Sequence, residues 1–426
     1  MRRSSMIIII LAEIAFSVIL LPAAESRATL TGKVVDAAGK PLAHAVVMVY
    51  QGSVKHGYST SCPTCYVDCG KRAITAADGS YKISGLSADL KFTILTVMNG
   101  FFPQLTNSVD PLAGPASVIT LKSREPINDP QRVIRARVID ARGRPLRDAV
   151  VQPQGILFND EKQRRIASYG TIAGLDLIAV TNEKGIFEIA YNRPAIEVLI
   201  LVEARGFAPK LFNHIPPGLD VKNLKVSSGA TLRGRLIDNG KPVGSALMGL
   251  MARKRSMGAE LKLDGDPYSE MRVGTKPDGT FEFTNVPDSV KWYVYGKMES
   301  IRGSGATGPV ECVTKKDGDD VSVGDIQIKP GFKLRGKVIL SDGKPIPDGM
   351  RVSIYSEKSQ DAKTMMLGSN GSFEFTGIVP DKYEVFASVR GYQPPQWDYR
   401  TQTDPPGTLL LKGDTDDFLL TLNPIK

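Results

Sequence analysis

Three cysteines within eight positions form the densest group of chemically capable side chains in the sequence. Cys62, Cys65 and Cys69 follow His56 by a few residues. Zinc sites in proteins use cysteine thiolates and imidazole nitrogens at short spacings of this kind. The spacing therefore allows a metal site that uses these three thiols together with His56.

Other uses of the same thiols stay open. In an oxidising compartment a structural disulfide would form, and ring size favours the pair Cys62–Cys69. The segment from Cys62 to Cys65 has the Cys-X-X-Cys pattern of thiol–disulfide exchange, although no helix N-terminus is expected here to lower a thiol pKa. Attachment to another chain is the fourth possibility. Because Cys312 lies far along the chain, we also expect an odd reactive thiol in one place or the other.

Aromatic residues near polar ones are a second kind of candidate site. Sugar binding requires exposed ring faces beside hydrogen-bonding groups. Trp397, with Tyr392 and Tyr399 on either side, is the first candidate for such a ligand-binding surface, and Trp292 is the second. The alternative is that these rings fill the ends of domains or the joints between them.

Conventional hydrolytic chemistry lacks its residues. The three histidines, His44, His56 and His214, are scattered, and neither an H-E-x-x-H motif nor a G-x-S-x-G motif occurs. We therefore predict that the chain is not an enzyme. We also predict that it needs no cofactor, apart from a possible metal ion at the cysteine loop.

A covalent crosslink is a further possibility that the sequence disfavours. Lys33 or Lys337, with Asn423, stands where a related class of β-sandwich joins lysine to asparagine. Such a bond needs a buried carboxylate, and Ala387 and Ser388 occupy that position. An exposed strand lysine is the simpler interpretation.

Three acidic residues, Asp264, Asp266 and Glu270, have the spacing of part of a calcium loop. Gly265 and Pro267 between them favour an ordinary turn instead.

The elements that carry these residues follow from an internal repeat. A strand–turn–strand opening occurs four times, at residues 31–42, 136–146, 232–243 and 334–346. Its alternating apolar and polar residues predict a half-buried strand. The turn then uses a glycine that can take positive φ, at Gly39, Gly143, Gly240 and Gly343. The recurrence of about 100 residues is the size of one small β-sandwich.

A second motif supports the same division. A turn followed by aromatic, polar and apolar residues recurs at 78–86, 184–189, 278–283 and 370–375. This pattern is typical of a β-hairpin. Because sustained helical periodicity is absent, we predict an all-β chain.

These motifs resemble the carboxypeptidase regulatory-like domain family over nearly the whole mature chain. The resemblance implies a prealbumin-like, Ig-like β-sandwich related to carbohydrate-binding folds, in domains that are mostly non-catalytic. No peptidase domain accompanies the repeats, so the family name implies no peptidase activity. We expect four tandem sandwiches, at residues 29–125 (with the cysteine-rich loop), 130–229, 230–331 and 332–426.

The N-terminus predicts export. Arg2 and Arg3 precede an apolar run and then small residues, which is the pattern of a signal peptide over residues 1–28. No later segment is long and apolar enough to span a membrane, so we expect a secreted or periplasmic protein without a membrane span in the mature chain.

Composition bounds the function. With 42% hydrophobic and 23% charged residues, the 426-residue chain is not disordered as a whole. The net charge of +9 is spread along the chain, which disfavours nucleic acid as a partner and allows weak attraction to anionic polymers.

The leading hypothesis is a non-enzymatic binding or scaffold protein whose partner is a carbohydrate or another envelope polymer. A metal-binding or thiol-redox protein centred on the cysteine loop is one alternative. A structural spacer that assembles with other surface proteins is the other.

Overall fold

The computed structural model of the chain describes residues 27–55, 66, 68–116, 118–126, 128–157, 166–167, 174–195, 197–252, 270–301, 303, 305–359, 361–396 and 404–425. Within these residues the regular structure consists of β-strands, with no helix. This confirms the prediction of an all-β chain of tandem β-sandwiches.

The strands of the first two quarters of the chain form four sheets. In the first quarter they are β1 (Arg27–Asp36), β2 (Val46–Val54), β3 (Arg72–Ile74), β4 (Ser80–Ser87), β5 (Leu90–Val97), β6 (Gln104–Val109) and β7 (Ile119–Leu121). In the second quarter they are β8 (Val133–Ile139), β9 (Val150–Leu157), β10 (Ile166–Ala167), β11 (Ala179–Val180), β12 (Ile186–Ala190), β13 (Glu197–Glu203), β14 (Lys210–Ile215) and β15 (Gly218–Lys225). The sheet orders are β4-β1-β7 with β3-β2-β5-β6, then β12-β8-β15 with β10-β9-β13-β14, and β11 also pairs with β9.

The other two quarters repeat this plan. In the third quarter the strands are β16 (Ala230–Asp238), β17 (Lys241–Pro242), β18 (Leu247–Ala252), β19 (Met271–Gly274), β20 (Thr280–Val286), β21 (Val290–Gly296), β22 (Gly305–Ala306), β23 (Val310–Thr314) and β24 (Asp320–Pro330). In the fourth quarter they are β25 (Phe332–Leu340), β26 (Arg351–Ser356), β27 (Ala362–Met366), β28 (Ser372–Ile378), β29 (Asp381–Ala387), β30 (Tyr392–Gln393), β31 (Thr408–Leu411) and β32 (Thr415–Pro424). The sheet orders are β17-β16-β24-β22 (with β20 on β16) and β19-β18-β21-β23, then β28-β25-β32-β30 and β27-β26-β29-β31.

One pairing rule recurs in every sandwich. The first strand pairs antiparallel with the strand that follows the turn of the second motif, as β1 pairs with β4. On its other side it pairs parallel with the last strand, as β1 pairs with β7 and β16 with β24. The first and last strands of each domain therefore lie side by side in one sheet and run in the same direction.

The turn glycine of the second motif is required by close backbone packing. Gly279 has φ of 76°, and a Cβ at this position would lie 2.5 Å from the carbonyl oxygen of Leu236. Because glycine has no Cβ, the two backbones come close enough for the N–H of Leu236 to donate to the carbonyl of Gly279 at 2.8 Å. Three further glycines have the same geometry against the first strand of their own domain: Gly79, Gly185 and Gly371.

Each sandwich has an apolar core of its own, and an additional cluster joins the first two. Val46, Met48, Leu95 and Val97 lie on the outer side of the β2–β5 sheet, where they pack against three residues of the second sandwich: Val150, Ile178 and Val180. At the margin of this contact Arg124 donates two hydrogen bonds to Asp176, at 2.9 and 2.7 Å. Domains 1 and 2 are therefore docked through a continuous buried surface.

The domain boundaries remain predictions, and β1 begins before the predicted start of the first domain at residue 29. β1 begins at Arg27, and Ala28 is buried and paired with Leu86, although the predicted signal peptide extends to residue 28. Arg27 also forms an ion pair with Asp68 at 3.2 Å. No helix in the described part of the chain has the length and apolar character needed to cross a membrane.

Candidate functional site

The cysteine loop is described only at its C-terminal end. His56, Cys62 and Cys65 lie outside the described residues. Cys69 is half-buried against the core of the first sandwich, and its N–H donates to the carbonyl of Tyr66 at 3.0 Å. Burial raises the pKa of the Cys69 thiol to about 11, and the negative charge of Asp68 adds to the rise. Cys69 is therefore a poor thiolate at neutral pH, which weighs against a redox role for this thiol.

The base of that loop is fixed by a buried carboxylate. Asp68 accepts hydrogen bonds from Lys71 Nζ at 2.6 Å and from the N–H of Ser87 at 2.8 Å, in addition to Arg27. Its side chain is 1% exposed. These bonds satisfy the buried charge and tie the loop to β4, so Asp68 has a structural role.

Cys312 is also half-buried, on β23 opposite Trp292. Burial raises the pKa of its thiol to about 11, with a further contribution from Glu311. The expectation of an activated odd thiol therefore finds no support at Cys312.

The structure corrects the assignment of Trp292 as a ligand-binding residue. Its side chain is fully buried in the core of the third sandwich, and its indole N–H donates to Thr314 Oγ1 at 3.1 Å. A ring without exposed surface cannot stack on a sugar. Trp292 instead follows the alternative of an aromatic side chain that fills the domain interior.

Tyr392 is the described member of the second aromatic group, whereas Trp397 and Tyr399 lie outside the described residues. Its ring packs against the core of the fourth sandwich, and its hydroxyl donates to Asp342 Oδ2 at 2.8 Å. Lys344 binds the same carboxylate at 2.9 Å. Tyr392 thus lies half-buried at a polar corner, and its contact with a ligand remains a prediction.

Glu270 belongs to a buried charge cluster. Its carboxylate contacts Lys297 Nζ at 2.9 Å and also Arg272 and the hydroxyl of Tyr295. Burial alone would raise the pKa of Glu270, but the charges of Lys297 and Arg272 hold that pKa below its ordinary value. A carboxylate that is bound in this way is not available to calcium, and Asp264 and Asp266 lie outside the described residues.

The same lysine joins the third and fourth sandwiches. Lys297 directly follows β21 and forms an ion pair with Asp361, which comes just before β27. Asp361 also accepts a hydrogen bond from the N–H of Met298 at 2.7 Å. The side chains of Lys297 and Asp361 are 4% and 3% exposed. No sequence pattern identifies this cluster, because the pairing of strands within the third sandwich brings Glu270 to Lys297, and only the packing of the two domains adds Asp361.

The lysines considered for a covalent crosslink are exposed. Lys33 and Lys337 lie on the solvent side of β1 and β25, as expected for exposed strand lysines that form no crosslink. Asn423 lies in β32, where it pairs in register with Gln393.

An open groove lies on the first sandwich. It has a volume of about 650 Å³ and is bordered by β1, β4 and the edge strand β3. Its polar lining comes from Thr31, Lys33, Ser80, Tyr81 and Lys82. The remaining lining is small or apolar and consists of Gly32, Ala73, Ile74, Ala76 and Pro115. A second groove, of about 620 Å³, lies on the third sandwich near Ser245 and Ser300.

The part of the chain that the structure describes contains no cluster of side chains that could bind a metal ion. No group of three or more His, Cys, Asp or Glu side chains there could hold a metal ion. The predicted site at Cys62, Cys65 and His56 lies outside that part and remains a prediction.

Comparison with known proteins places part of the chain in a β-sandwich group. A family model described as the second β-sandwich domain of BOS complex subunit NOMO1-like proteins matches residues 330–402, nearly all of them in the fourth sandwich. No curated protein sequence matches the chain. The family match supports the sandwich assignment but does not confirm the carboxypeptidase regulatory-like name.

Solved structures show only distant likeness. The Bacillus anthracis TIE protein matches at 11% identity and a TM-score of 0.19, over 95% of this chain and 76% of that protein. A streptococcal ancillary pilin matches at 10% identity and a TM-score of 0.23, over 72% of this chain and all of the pilin. The minor pilin of Streptococcus agalactiae matches at 15% identity and a TM-score of 0.22, over 46% of this chain and 97% of the pilin. Scores this low carry no functional conclusion, and what stands is a β-sandwich chain whose fourth domain matches a known β-sandwich family model.

Proposed function

We propose that this chain is an exported, non-enzymatic binding and scaffold protein, and that its ligand is a carbohydrate or another envelope polymer. The open groove of the first sandwich is the observation that supports binding. The buried charged groups described above instead form ion pairs with each other: Asp68 with Lys71, and Lys297 with Asp361. Charges that are paired and buried serve the fold.

The joints between domains support the scaffold part of the proposal. The apolar cluster between the first two sandwiches and the Lys297–Asp361 pair between the last two are both buried. Buried joints hold neighbouring domains in a defined arrangement, which an exposed linker does not.

The test is retention of the purified chain by polysaccharides. We expect the chain to be retained by an insoluble envelope fraction and by at least one purified anionic polysaccharide. Trp397→Ala tests whether the predicted aromatic group contributes to that retention. Absence of retention by every polymer would contradict the binding proposal and leave the structural spacer as the function.

The thiol alternative has a separate test. Intact mass under native and denaturing conditions distinguishes a bound metal ion, which adds its mass only in the native state, from a disulfide, which removes two hydrogens. We expect a disulfide without metal. A metal-loaded native mass would favour the metal-binding alternative.

A further inference from the structure

The four sandwiches provide an internal comparison for the groove of the first one. In each domain the first strand pairs with the strand of the second motif, which here is called the hairpin strand: β1 with β4, β8 with β12, β16 with β20 and β25 with β28. On the outer face of this strand pair, one residue of the first strand lies directly opposite one residue of the hairpin strand. In the last three domains this pair is an arginine opposite a glutamate: Arg135 with Glu188, Arg233 with Glu282, and Arg335 with Glu374. The arginine Nε donates to the glutamate at 2.8, 2.7 and 2.7 Å respectively.

The first domain breaks this rule. Thr31 lies opposite Lys82 at the same register position, so neither the arginine nor the acid is present. Lys33 stands on the same face, diagonal to Lys82, at a distance that suits two contacts to one ligand. Both lysines are exposed, and within the described residues neither forms an ion pair.

Acidic side chains are scarce around these two amines. Arg233 and Arg335 of the later domains also bind an acid of the last strand, Asp320 and Asp416 respectively. The corresponding stretch of the first domain, residues 111–121, contains no acidic residue. The acid that acts on Lys33 is Asp78, and Ser80 already donates to its carboxylate through its N–H and its hydroxyl, at 3.0 and 2.6 Å.

A tyrosine of the core lies behind the same groove. Tyr81 lines it and is 5% exposed, and its hydroxyl has no hydrogen-bond partner within the described residues. The matching residue of the other domains is a phenylalanine: Phe187, Phe281 and Phe373. The ring tip lies against Gly32, where a Cβ would come within 2.6 Å of the hydroxyl oxygen. Tyr81 belongs to the apolar core of the domain and pairs in register with Gly32, so its ring points to the inner face of the sheet, whereas Thr31, Lys33, Ser80 and Lys82 lie on the outer face.

We infer that the groove of the first sandwich binds a carboxylate-bearing polysaccharide, with Lys33 and Lys82 contacting its carboxylates and Thr31 and Ser80 its hydroxyl groups. This inference rests on the proposed function and names the site and ligand class within it. The groove has no exposed aromatic ring on which a neutral sugar could stack, so charge must supply the affinity.

The edges of the groove oppose an acidic peptide as the occupant. An extended peptide would add to a strand edge. The edge strand β3 has three residues, and β4 carries an irregularity at Gly85, which has φ of 72°. Short and bulged edges are the features by which proteins discourage strand addition.

The decisive variant rebuilds in the first domain the pair that the other domains contain. Thr31→Arg with Lys82→Glu restores the cross-strand ion pair and removes one amine, for a net charge change of −1. Lys337→Ala makes the same net change at the position of domain 4 that corresponds to Lys33, since both lysines pair with a serine of the hairpin strand. Binding of the full mature chain to polygalacturonate, with neutral dextran and poly-L-glutamate as comparisons, is measured by biolayer interferometry at low and high salt.

We expect salt-sensitive binding of polygalacturonate and none of dextran. Thr31→Arg/Lys82→Glu should bind about tenfold more weakly, as the loss of a charge-assisted contact requires, while Lys337→Ala stays within about twofold of the parent chain. If the double variant fails to fold, Lys33→Ser/Lys82→Ser replaces it. Equal binding by the groove variant and the parent chain would show that the groove is not the binding site, although the chain still binds the polymer. Preference for poly-L-glutamate would overturn the polysaccharide, and retention by no polymer at all would remove the proposed function as well.

Discussion

At the scale of single residues, some charged side chains form buried ion pairs that stabilise the fold, and others are exposed and available to bind a partner. Lys297 and Asp361 satisfy each other in a buried joint, whereas Lys33 and Lys82 face solvent beside a groove. Burial sets this difference, because a buried ion must be paired and an exposed one need not be. Exposed, unpaired amines are thus the ones available to a partner.

Lys297→Met should destabilise the chain strongly. It leaves the carboxylate of Asp361 buried without its cation and removes one of the two cations that bind Glu270, so we expect a loss of about 3–5 kcal/mol in the free energy of unfolding of this region. Urea denaturation followed by the fluorescence of buried Trp292 measures it. The matched control is Lys291→Met, because Lys291 is exposed and lies 4.0 Å from Glu311, where we expect a change below about 1 kcal/mol. Equal stability of the two variants would show that the cluster does not stabilise the joint.

The thiol of Cys312 should react slowly in the folded protein. With a pKa of about 11, the thiolate is scarce at neutral pH and increases as the pH rises toward that value. We expect alkylation by iodoacetamide at pH 8 to be at least about tenfold slower than in the unfolded chain, where the thiol has an ordinary pKa of about 8.5. Peptide mass spectrometry over a pH series measures the rate. A fast reaction that levels off near neutral pH would contradict the buried environment.

At the scale of elements, the fold depends on a hairpin turn that presses against the first strand of its own domain. The carbonyl of Gly279 accepts from Leu236, and the glycine has no Cβ that would collide there. A turn of this kind fixes the register of β20 on β16, and with it the side of the sheet that each residue occupies.

Gly279→Ala tests this role against a glycine with similar φ but open surroundings. Gly240 has φ of 77°, and no atom lies within 4 Å of a Cβ at that position. We expect Gly240→Ala to cost about 1 kcal/mol from backbone strain alone. Gly279→Ala should cost about 3 kcal/mol, because a collision with Leu236 adds to the same strain. Thermal unfolding measures both, and equal losses would contradict the role assigned to close packing.

Strands and turns could be predicted from the sequence because their causes are local. Alternation and turn glycines repeat in each domain, and the alternation of Trp292 with Val290 and Val294 could also have shown that its ring points inward. The groove and the charged joint could not be predicted in the same way. Lys82 faces Thr31 only through strand register, and Lys297 meets Asp361 only when two domains dock.

At the scale of the whole molecule, the joints differ in chemistry. The joint between the first two domains combines an apolar cluster with the ion pairs Arg72–Glu203 and Arg124–Asp176, and the joint between the last two contains the buried pair Lys297–Asp361. Salt should therefore weaken the partly exposed pair Arg72–Glu203 of the first joint more than the buried pair of the second, because buried charges are screened less.

Val180→Asp should separate the first two domains without unfolding them. Val180 is 3% exposed and belongs to the cluster between the domains, so a carboxylate there would be buried without a partner. We expect a larger radius of gyration in small-angle scattering with an unchanged far-ultraviolet spectrum. Val221→Asp, at an exposed position of β15, is the control and should leave the radius unchanged. An unchanged radius for Val180→Asp would show that the cluster does not hold the domains together.

The parallel pairing of first and last strands has a mechanical consequence. When the chain is pulled from its two ends, tension enters each domain at the start of its first strand and leaves at the end of its last. Because these strands lie side by side and run the same way, the load shears the hydrogen bonds between them together instead of opening them one by one. The ladder in the first domain, Val34–Asp36 against Ile119–Leu121, is shorter than the one in the third, which extends from Thr231 to Asp238. Under load the first domain should therefore yield before the third, and its groove would be lost with it.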